Sequence, residues 1–216
     1  MIRIGRAGAA GSVTPAELSR LRSRFARRNF LRLAGFVEPD LLALIQQKLR
    51  RDEFRDSRDK DGIEIRQTPR DPAAGLFLGM LFSDRRLFAF LEAVTGDRSI
   101  GSLTGGIFRM VPGASHHVGW HKDLAPGGRR AAGMTVNLGP KPIQGGLLQF
   151  RAAPDRRRIG EVRYKRAGDA VLFRLREDLE HRSTDVEGSE PKTIYACWFQ
   201  RKRAGVGRRV RREERG

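Results

Sequence analysis

The chain has 216 residues, is 39% hydrophobic and carries a formal net charge of +18 at pH 7. This length predicts one domain with a substantial core, or one domain with extensions. No run of about 18 apolar residues occurs, which argues against a membrane-spanning helix, and the start of the sequence lacks the apolar stretch of a secretion signal. The single cysteine, Cys197, cannot form an internal disulfide, so we expect a cytoplasmic protein.

The positive charge is concentrated at the two ends of the sequence. Residues 1–30 contribute +6 from seven Arg and one Glu, and residues 201–216 contribute +6 from eight Lys or Arg and two Glu. The remainder of the chain therefore carries +6. We interpret the basic ends as solvated tails that could attract nucleic acid through charge alone. The moderately basic remainder leans only weakly toward acidic partners.

Three helices are predicted in the first part of the chain. Each has a capping signal or a proline at its start, followed by an apolar stripe at helical spacing. The start signals are Thr14-Pro15-Ala16-Glu17, Pro39-Asp40 and Ser83-Asp84, and Gly96 is placed to end the third helix.

The second half of the chain has a different pattern, in which short apolar runs are separated by turns rich in Gly and Pro. Such spacing predicts a β-rich α+β protein whose strands form a sandwich or jelly roll. A further short strand is expected earlier, at residues 30–37. The predicted strands after residue 100 are 107–111, 118–121, 133–138, 146–151, 159–164, 170–175 and 193–200.

These patterns divide the chain into four parts. We expect a flexible N-terminus at residues 1–13, a helical support region at 14–100, a β-rich core at 101–200 and a basic tail at 201–216. Within the support region, residues 51–72 are highly charged and aperiodic, which predicts a mobile loop or a weak strand. Its position before the β-rich core makes it a candidate lid that sets specificity.

A possible metal site begins with His121-Lys122-Asp123. Alternate residues of a strand point to the same face, so His121 and Asp123 could converge on one ion. A third ligand must come from elsewhere. Two His and one carboxylate would leave open positions, which suits a non-haem Fe(II) that binds a co-substrate and O₂ together.

Several further motifs surround this tripeptide in a fixed order. A Pro-Gly turn at 112–113 precedes it, and a Gly-Gly turn into a strand follows at 145–150. The segment Ala167-Gly168-Asp169-Ala170-Val171-Leu172-Phe173 comes next, then His181, and then Lys192 at the start of a strand that contains Trp198. Each motif is weak alone, whereas the ordered set is specific.

This ordered set resembles the 2-oxoglutarate/Fe(II) oxygenase superfamily, particularly its prolyl-4-hydroxylase-like branch, over about residues 105–200. The resemblance implies a double-stranded β-helix that uses Fe(II), 2-oxoglutarate and O₂. It also implies that the metal ligands are His121, Asp123 and His181, and that Lys192 pairs with the distal carboxylate of 2-oxoglutarate. A buried lysine is costly unless it is paired, and this co-substrate supplies the pair.

Two details depart from the usual pattern of the branch. Lys192 follows His181 by eleven positions, which is slightly longer than the commonest spacing. Val111 stands where related sequences often have a Tyr beside the co-substrate, so another polar residue should take that place. Thr135 and Asn137 share a face of a neighbouring predicted strand, and either could hydrogen-bond the co-substrate or be an ordinary strand residue.

The resemblance implies a hydroxylase that acts on an amino-acid side chain in a peptide, a protein or a small metabolite. One alternative is an oxidative demethylase of nucleic acid, although that branch carries two Arg after the distal His where this chain has Lys192. A second alternative, from a different class, is a non-catalytic, basic, cupin-like binding module. The intact set of His121, Asp123, His181 and Lys192 argues against that module.

Overall fold

A computed structural model describes residues 1–124 and 128–202 of the chain. These residues include four helices: α1 (Pro15–Arg28), α2 (Pro39–Arg50), α3 (Ala73–Phe82) and α4 (Arg85–Thr95). In this described part, none of the helices combines the length and the apolar character that crossing a membrane requires.

The capping signals of α1 and α4 form as the sequence predicts. The hydroxyl of Thr14 accepts a hydrogen bond from the Glu17 N–H, and the Glu17 carboxylate accepts one from the Thr14 N–H. The Asp84 carboxylate caps α4 by accepting from the Arg86 N–H, and Gly96 ends this helix with φ of 81°. Helix α2 also begins at the predicted Pro39, so the three predicted helices are confirmed.

Helix α3 is not predicted by the sequence pattern. It is apolar on nearly every side and contains Gly75 and Gly79, which disfavour a helix in isolation. Packing explains it, because Ala74, Leu78, Leu81 and Phe82 are buried in the core between the helices and the strands.

The strands are mostly short, and all the pairings between them are antiparallel. Each strand predicted after residue 100 overlaps an observed strand, and so does the earlier one at residues 30–37. In the described residues the strands are β1 (Arg3–Gly5), β2 (Gly8–Ala10), β3 (Phe30–Leu33), β4 (Phe54–Arg58), β5 (Glu64–Pro69), β6 (Ile100–Met110), β7 (His117–His121), β8 (Arg130–Asn137), β9 (Gln144–Gly145), β10 (Leu148–Ala152), β11 (Arg158–Val162), β12 (Ala170–Arg174), β13 (Leu179–Ser183), β14 (Val186–Glu187) and β15 (Lys192–Arg201).

A long antiparallel sheet folds on itself to form a double-stranded β-helix. Its strand order is β11-β10-β13-β7-β5-β6-β15-β8-β12-β3, with β4 paired to β5 at the side. The layer β7, β13, β10 and β11 faces the layer β6, β15, β8, β12 and β3. Strand β5 joins the two layers, because it pairs with both β6 and β7. The protein is thus β-rich and jelly-roll-like, as the sequence predicts.

Two separate hydrophobic cores lie on the opposite faces of the layer that contains β15, because alternate side chains of a strand point to opposite faces. Tyr195 and Cys197 of β15 point toward the helices and belong to the larger core. Ile194 and Trp198 of the same strand pack against a smaller core between the two layers. The two-residue period of a strand explains how β15 serves both sides.

Two segments differ from the sequence expectations. Residues 1–13, expected to be flexible, contain the hairpin β1–β2, and Ile2 and Ile4 are buried in the larger core. Residues 51–72 contain the hairpin β4–β5, so the strand alternative is correct and the loop alternative is wrong. From residue 203 onward, the expected basic tail lies outside the described residues.

Asp169 connects the segment after β3 to the β-helix. Its carboxylate is fully buried and accepts hydrogen bonds from the backbone N–H groups of Gly35, Lys165 and Arg166. The Arg32 guanidinium lies 3.3 Å from the same carboxylate. The Gly-Asp pair of the sequence motif at 167–169 therefore has a structural role, because it fixes the helical region onto the strands.

We expect Asp169→Ala to lower the free energy of unfolding by about 3 kcal/mol, because three backbone N–H groups and the Arg32 guanidinium lose a fully buried partner. Urea denaturation measures this loss. The matched variant Asp155→Ala removes an exposed carboxylate and should change the same quantity by less than about 0.5 kcal/mol. Equal losses in the two variants would contradict the role of Asp169.

Candidate active site

A pocket opens between the two layers of the β-helix. Most of its lining is apolar, and polar groups are concentrated at a few points of its wall. The lining residues include Glu64, Arg66, Phe108, Met110, Val118, His121, Asp123, Thr135, Tyr164, His181, Ser183, Lys192, Ile194 and Trp198.

The register of β7 and β13 brings two imidazoles together in this pocket. His121 lies directly opposite His181 in the antiparallel pair, so both side chains project from the same face of the sheet. Their ring centroids are 4.3 Å apart. Residues that are 60 positions apart in the sequence therefore become nearest neighbours across two strands.

Asp123 completes a cluster of three potential metal ligands. One oxygen of its carboxylate lies 3.2 Å from His181 Nε2, and the other lies 3.6 Å from His121 Nε2. One ligand atom from each of the three residues lies within 4.8 Å of the others, a separation that a single ion can bridge. The structure thus brings together the three ligands that the sequence resemblance implies.

Hydrogen bonds prepare these side chains for a metal. The Nδ1 atom of His121 is 2.8 Å from the Gly119 carbonyl oxygen, which can only accept. Nδ1 therefore carries the proton, and Nε2 has a free lone pair that faces the cluster. Arg130 approaches Asp123 from the opposite side, with its Nη1 atom 3.0 Å from the Asp123 carbonyl oxygen and 3.6 Å from its carboxylate.

The electrostatics of the cluster favour a neutral His121 and an ionised Asp123. Burial lowers the pKa of His121, and the neighbouring His181 lowers it further. Burial alone would raise the pKa of Asp123, but the hydrogen bond from His181 and the nearby imidazoles outweigh it and hold this pKa below its ordinary value. A neutral imidazole and an ionised carboxylate are the forms that coordinate a cation.

Lys192 is a buried cation deeper in the same pocket. Only 3% of its surface is exposed, and its Nζ donates to the Gly146 carbonyl at 2.8 Å and to the Ser183 hydroxyl at 2.7 Å. Both acceptors are neutral, and among the described residues no carboxylate pairs with it. Burial accordingly lowers the pKa of Lys192 to about 7. An anionic ligand would supply the missing countercharge.

Tyr164 is a pocket residue that the sequence analysis did not single out. Its hydroxyl is hydrogen-bonded to that of Thr135, and Lys192 Nζ lies 5.7 Å from the centre of its ring. Burial raises the pKa of Tyr164, so its hydroxyl remains a neutral donor or acceptor. Tyr164, from the segment after β11, is therefore a polar aromatic residue of the pocket, whereas Val111 is not among the lining residues.

The structure places Thr135 in the pocket but does not bring Asn137 there. The Asn137 amide donates to the Arg166 carbonyl oxygen, and its side-chain oxygen accepts from the Gly139 N–H. These bonds hold the turn after β8, so the side chain has a local structural role. The expectation that Asn137 could contact a co-substrate has no support in this geometry.

Three further polar residues of the pocket were not foreseen: Glu64, Arg66 and Ser183. Ser183 lies two residues after His181, and the strand period could have identified it had β13 been predicted. Glu64 and Arg66 lie on β5, within a run of charged residues. No feature of their spacing in the sequence distinguishes them from the solvated charges around them.

A family model described as the 2OG-Fe(II) oxygenase superfamily matches residues 105–200. These residues contain the whole His-Asp-His cluster and Lys192. They form a 2OG-Fe(II) oxygenase domain. A search of the curated proteins finds no match to this sequence.

Several solved structures share the fold of this domain and its helical support. A 2OG-Fe(II) oxygenase family oxidoreductase from Burkholderia pseudomallei has a TM-score of 0.63 and 15% identity, covering 94% of this chain and 97% of its own. A Pseudomonas putida prolyl-4-hydroxylase has a TM-score of 0.63 and 19% identity, covering 86% and 99%. The epimerase SnoN in complex with Fe³⁺, alpha ketoglutarate and nogalamycin RO has a TM-score of 0.61 and 16% identity, covering 87% and 85%.

The oxygenase uses Fe(II), 2-oxoglutarate and O₂, the reactants of its superfamily. The residues of the pocket fit these groups. Two imidazoles and one carboxylate suit Fe(II) and leave positions open. The buried Lys192, which lacks an anionic partner in the described part of the chain, suits a dicarboxylate.

We expect the ligand-free oxygenase to gain stability with rising pH, relative to its Lys192→Met variant, between about pH 7 and pH 10. In this window an unfolded lysine, with an ordinary pKa of 10.5, still holds the proton that the folded Lys192 has released. The unfolded state therefore binds more protons, and the gain reaches at most about 1.4 kcal/mol per pH unit. Urea denaturation of both proteins from about pH 6 to pH 10 measures it, and a constant difference would show that Lys192 stays charged.

Proposed function

We propose that this oxygenase hydroxylates an unactivated C–H bond of an amino-acid side chain, with His121, Asp123 and His181 holding Fe(II). The observation that carries the proposal is the cluster of these three side chains beside the buried Lys192. In the overall reaction one oxygen atom of O₂ enters the substrate and the other enters succinate, and 2-oxoglutarate loses CO₂. The single cysteine supports a cytoplasmic location for this reaction.

The 2-oxoglutarate site is proposed around Lys192, Thr135 and Tyr164. Lys192 pairs with the distal carboxylate, and the two linked hydroxyls of Thr135 and Tyr164, which line the same pocket, complete the binding site. The Ser183 hydroxyl holds the ammonium in place by accepting a hydrogen bond from it. Burial of this cation strengthens its attraction for an anion, because little water screens it.

The residues of the chain prepare the reaction rather than transfer protons in it. When bound, Fe(II) and 2-oxoglutarate supply the oxidising power and the activation of O₂. The Gly119 carbonyl fixes the tautomer of His121, and Arg130 fixes the orientation of Asp123. The apolar wall of Phe108, Met110 and Trp198 excludes water and orients the target carbon.

Two other functions are less well supported. The branch of nucleic-acid oxidative demethylases usually carries two Arg after the distal His, where this chain has Lys192. Arg182, the first Arg after the distal His, instead donates to the Gln149 side chain at 2.9 Å and stacks beside Trp120. A binding module without catalysis would gain nothing from burying Lys192, since an uncompensated charge costs stability.

The test of the proposal combines metal binding with turnover. We expect His121→Ala and Asp123→Ala to weaken Mn(II) binding at least about 100-fold, measured by electron paramagnetic resonance, and to abolish succinate formation. His117→Ala removes an imidazole that lies within hydrogen-bonding distance of the Ser115 and Gly62 carbonyls; it is the matched control and should behave as wild type. With amino acids and peptides as substrates, mass spectrometry should detect the gain of one oxygen atom. Unchanged Mn(II) binding in His121→Ala would refute the proposed metal ligands.

The proposed role of Lys192 has its own test. Lys192→Met should raise the Kd of 2-oxoglutarate for the Mn(II)-loaded protein by about 100-fold, whereas Lys141→Met, at an exposed lysine, should leave it unchanged. Because the pKa of Lys192 lies near 7 and an anion favours its charged form, binding should take up nearly one proton at about pH 8 and little at pH 6. Calorimetry in buffers of different ionisation enthalpy measures this uptake. Equal affinity of wild type and Lys192→Met would rule out the role.

A further inference from the structure

An ion pair of unassigned role lies in the same pocket. Glu64 and Arg66 are two residues apart on β5, so both side chains project from the face that lines the pocket. Their charged groups are 2.5 Å apart, and only 15% and 16% of the two side chains are exposed. The Arg66 guanidinium also stacks on Phe108, 3.6 Å from the centre of the ring.

The pair is held firmly in place by the backbone of β5. In the sheet, Glu64 lies opposite Val118 of β7, and the Glu64 N–H donates a hydrogen bond to the Asp59 carboxylate at 2.8 Å. On the other side, Gln67 is paired with Arg109 of β6. The two charges are therefore fixed parts of the pocket wall rather than side chains on a loose loop.

Neither fold stability nor the metal cluster accounts for this pair. Removing two charges from water costs about as much as their attraction returns, so such a pair adds little net stability. Glu64 Oε1 lies 3.3 Å from His121 Nε2, yet Glu64 is not among the three residues whose ligand atoms are all mutually close. Both side chains line the pocket beside the metal cluster, so a substrate that enters this pocket would meet them.

The charged side chains that line the pocket indicate the class of ligand that fits. Among them, Asp123 and the two carboxylates of 2-oxoglutarate would be offset by Fe(II) and Lys192, which leaves one anion and one cation, Glu64 and Arg66, in contact with each other. A ligand with one charge would pair with one of them and leave the other buried without its partner. A zwitterion with adjacent ammonium and carboxylate groups pairs with both.

We propose that Glu64 binds the ammonium group and Arg66 the carboxylate group of a free α-amino acid, which is the substrate of this oxygenase. The inference rests on the proposed function and narrows its substrate class. The internal residues of a peptide carry neither charge, so a peptide would not satisfy the pair. Phe108, Met110 and Val118 form the adjoining wall, so the amino acid has an apolar side chain.

The test is calorimetric binding to the oxygenase loaded with Mn(II) and 2-oxoglutarate under nitrogen. The probes are the proteinogenic L-amino acids, together with the N-acetyl and C-amide derivatives of those that bind. We expect at least one apolar amino acid to bind, and either cap to weaken its binding by about tenfold or more, because each cap removes one charge-assisted contact. Absence of binding by every amino acid, or equal binding of capped and free forms, would overturn the proposal.

Variants locate the contacts and separate this proposal from the preceding one. Glu64→Gln and Arg66→Gln should each weaken amino-acid binding by about tenfold or more, with little change in the Kd of Mn(II) or 2-oxoglutarate. Arg58→Gln, on the exposed face of the paired strand β4, should bind as wild type. Loss of Mn(II) binding in Glu64→Gln would make Glu64 a metal ligand and overturn the assignment. Failure of the wild type to bind Mn(II) or 2-oxoglutarate would instead refute the proposed function.

Discussion

The antiparallel pairing of β7 with β13 is the constraint on which the site depends. It sets His121 opposite His181, and the chain then leaves β7 so that the carboxylate of Asp123 turns back toward both imidazoles. A shift of one residue in this register would send His181 to the other face of the sheet. The flanking strands β10 and β5 hold the register from both sides, so the geometry of three ligands is a property of the whole layer.

Because alternate side chains of a strand point to opposite faces, one strand can contribute residues both to the hydrophobic core and to the pocket. On β15, Tyr195 and Cys197 fill the core under the helices, while Lys192 and Trp198 face the pocket. A buried thiol next to a reactive centre would be a liability, yet burial raises the pKa of Cys197 and keeps it protonated. The helices therefore stabilise the back of a wall whose front carries the reactive groups.

Much of the fold could be predicted from the sequence, because its signals are local. The capping box at Thr14, the apolar alternation of the longer strands and the spacing within His121–Asp123 all act between residues close in the chain. Strand β13 was missed because its five residues include Glu180 and Arg182 and show no apolar run. They form a strand only by pairing with β10 and β7. Glycine-containing α3 was missed because tertiary packing, not helix propensity, stabilises it.

The site shows the same division between local and distant information. His121, Asp123, His181 and Lys192 belong to an ordered set of motifs, so their meeting in one pocket follows from resemblance. Tyr164, Glu64 and Arg66 reach that pocket through contacts between distant segments, and single charged or aromatic residues give no sign of such contacts in a sequence. Asn137 shows the opposite case. Its position on the strand predicted that it could reach the pocket, but its side chain is hydrogen-bonded to Arg166 and Gly139 instead.

Strand β5 is bonded to both layers, and this has a consequence for how the protein tolerates change. A residue inserted within β5 would break its pairing with β6 or β7 and would disturb the strand that carries His121. The turn between β4 and β5 is exposed at Lys60 and Asp61 and can lengthen at this tip without that penalty, whereas the Ile63 carbonyl is hydrogen-bonded to the Gly119 N–H of β7. Changes in sequence near the pocket are therefore tolerated best as insertions at the tip of this turn or as substitutions on β5. Neither kind of change disturbs the strands that carry the metal ligands.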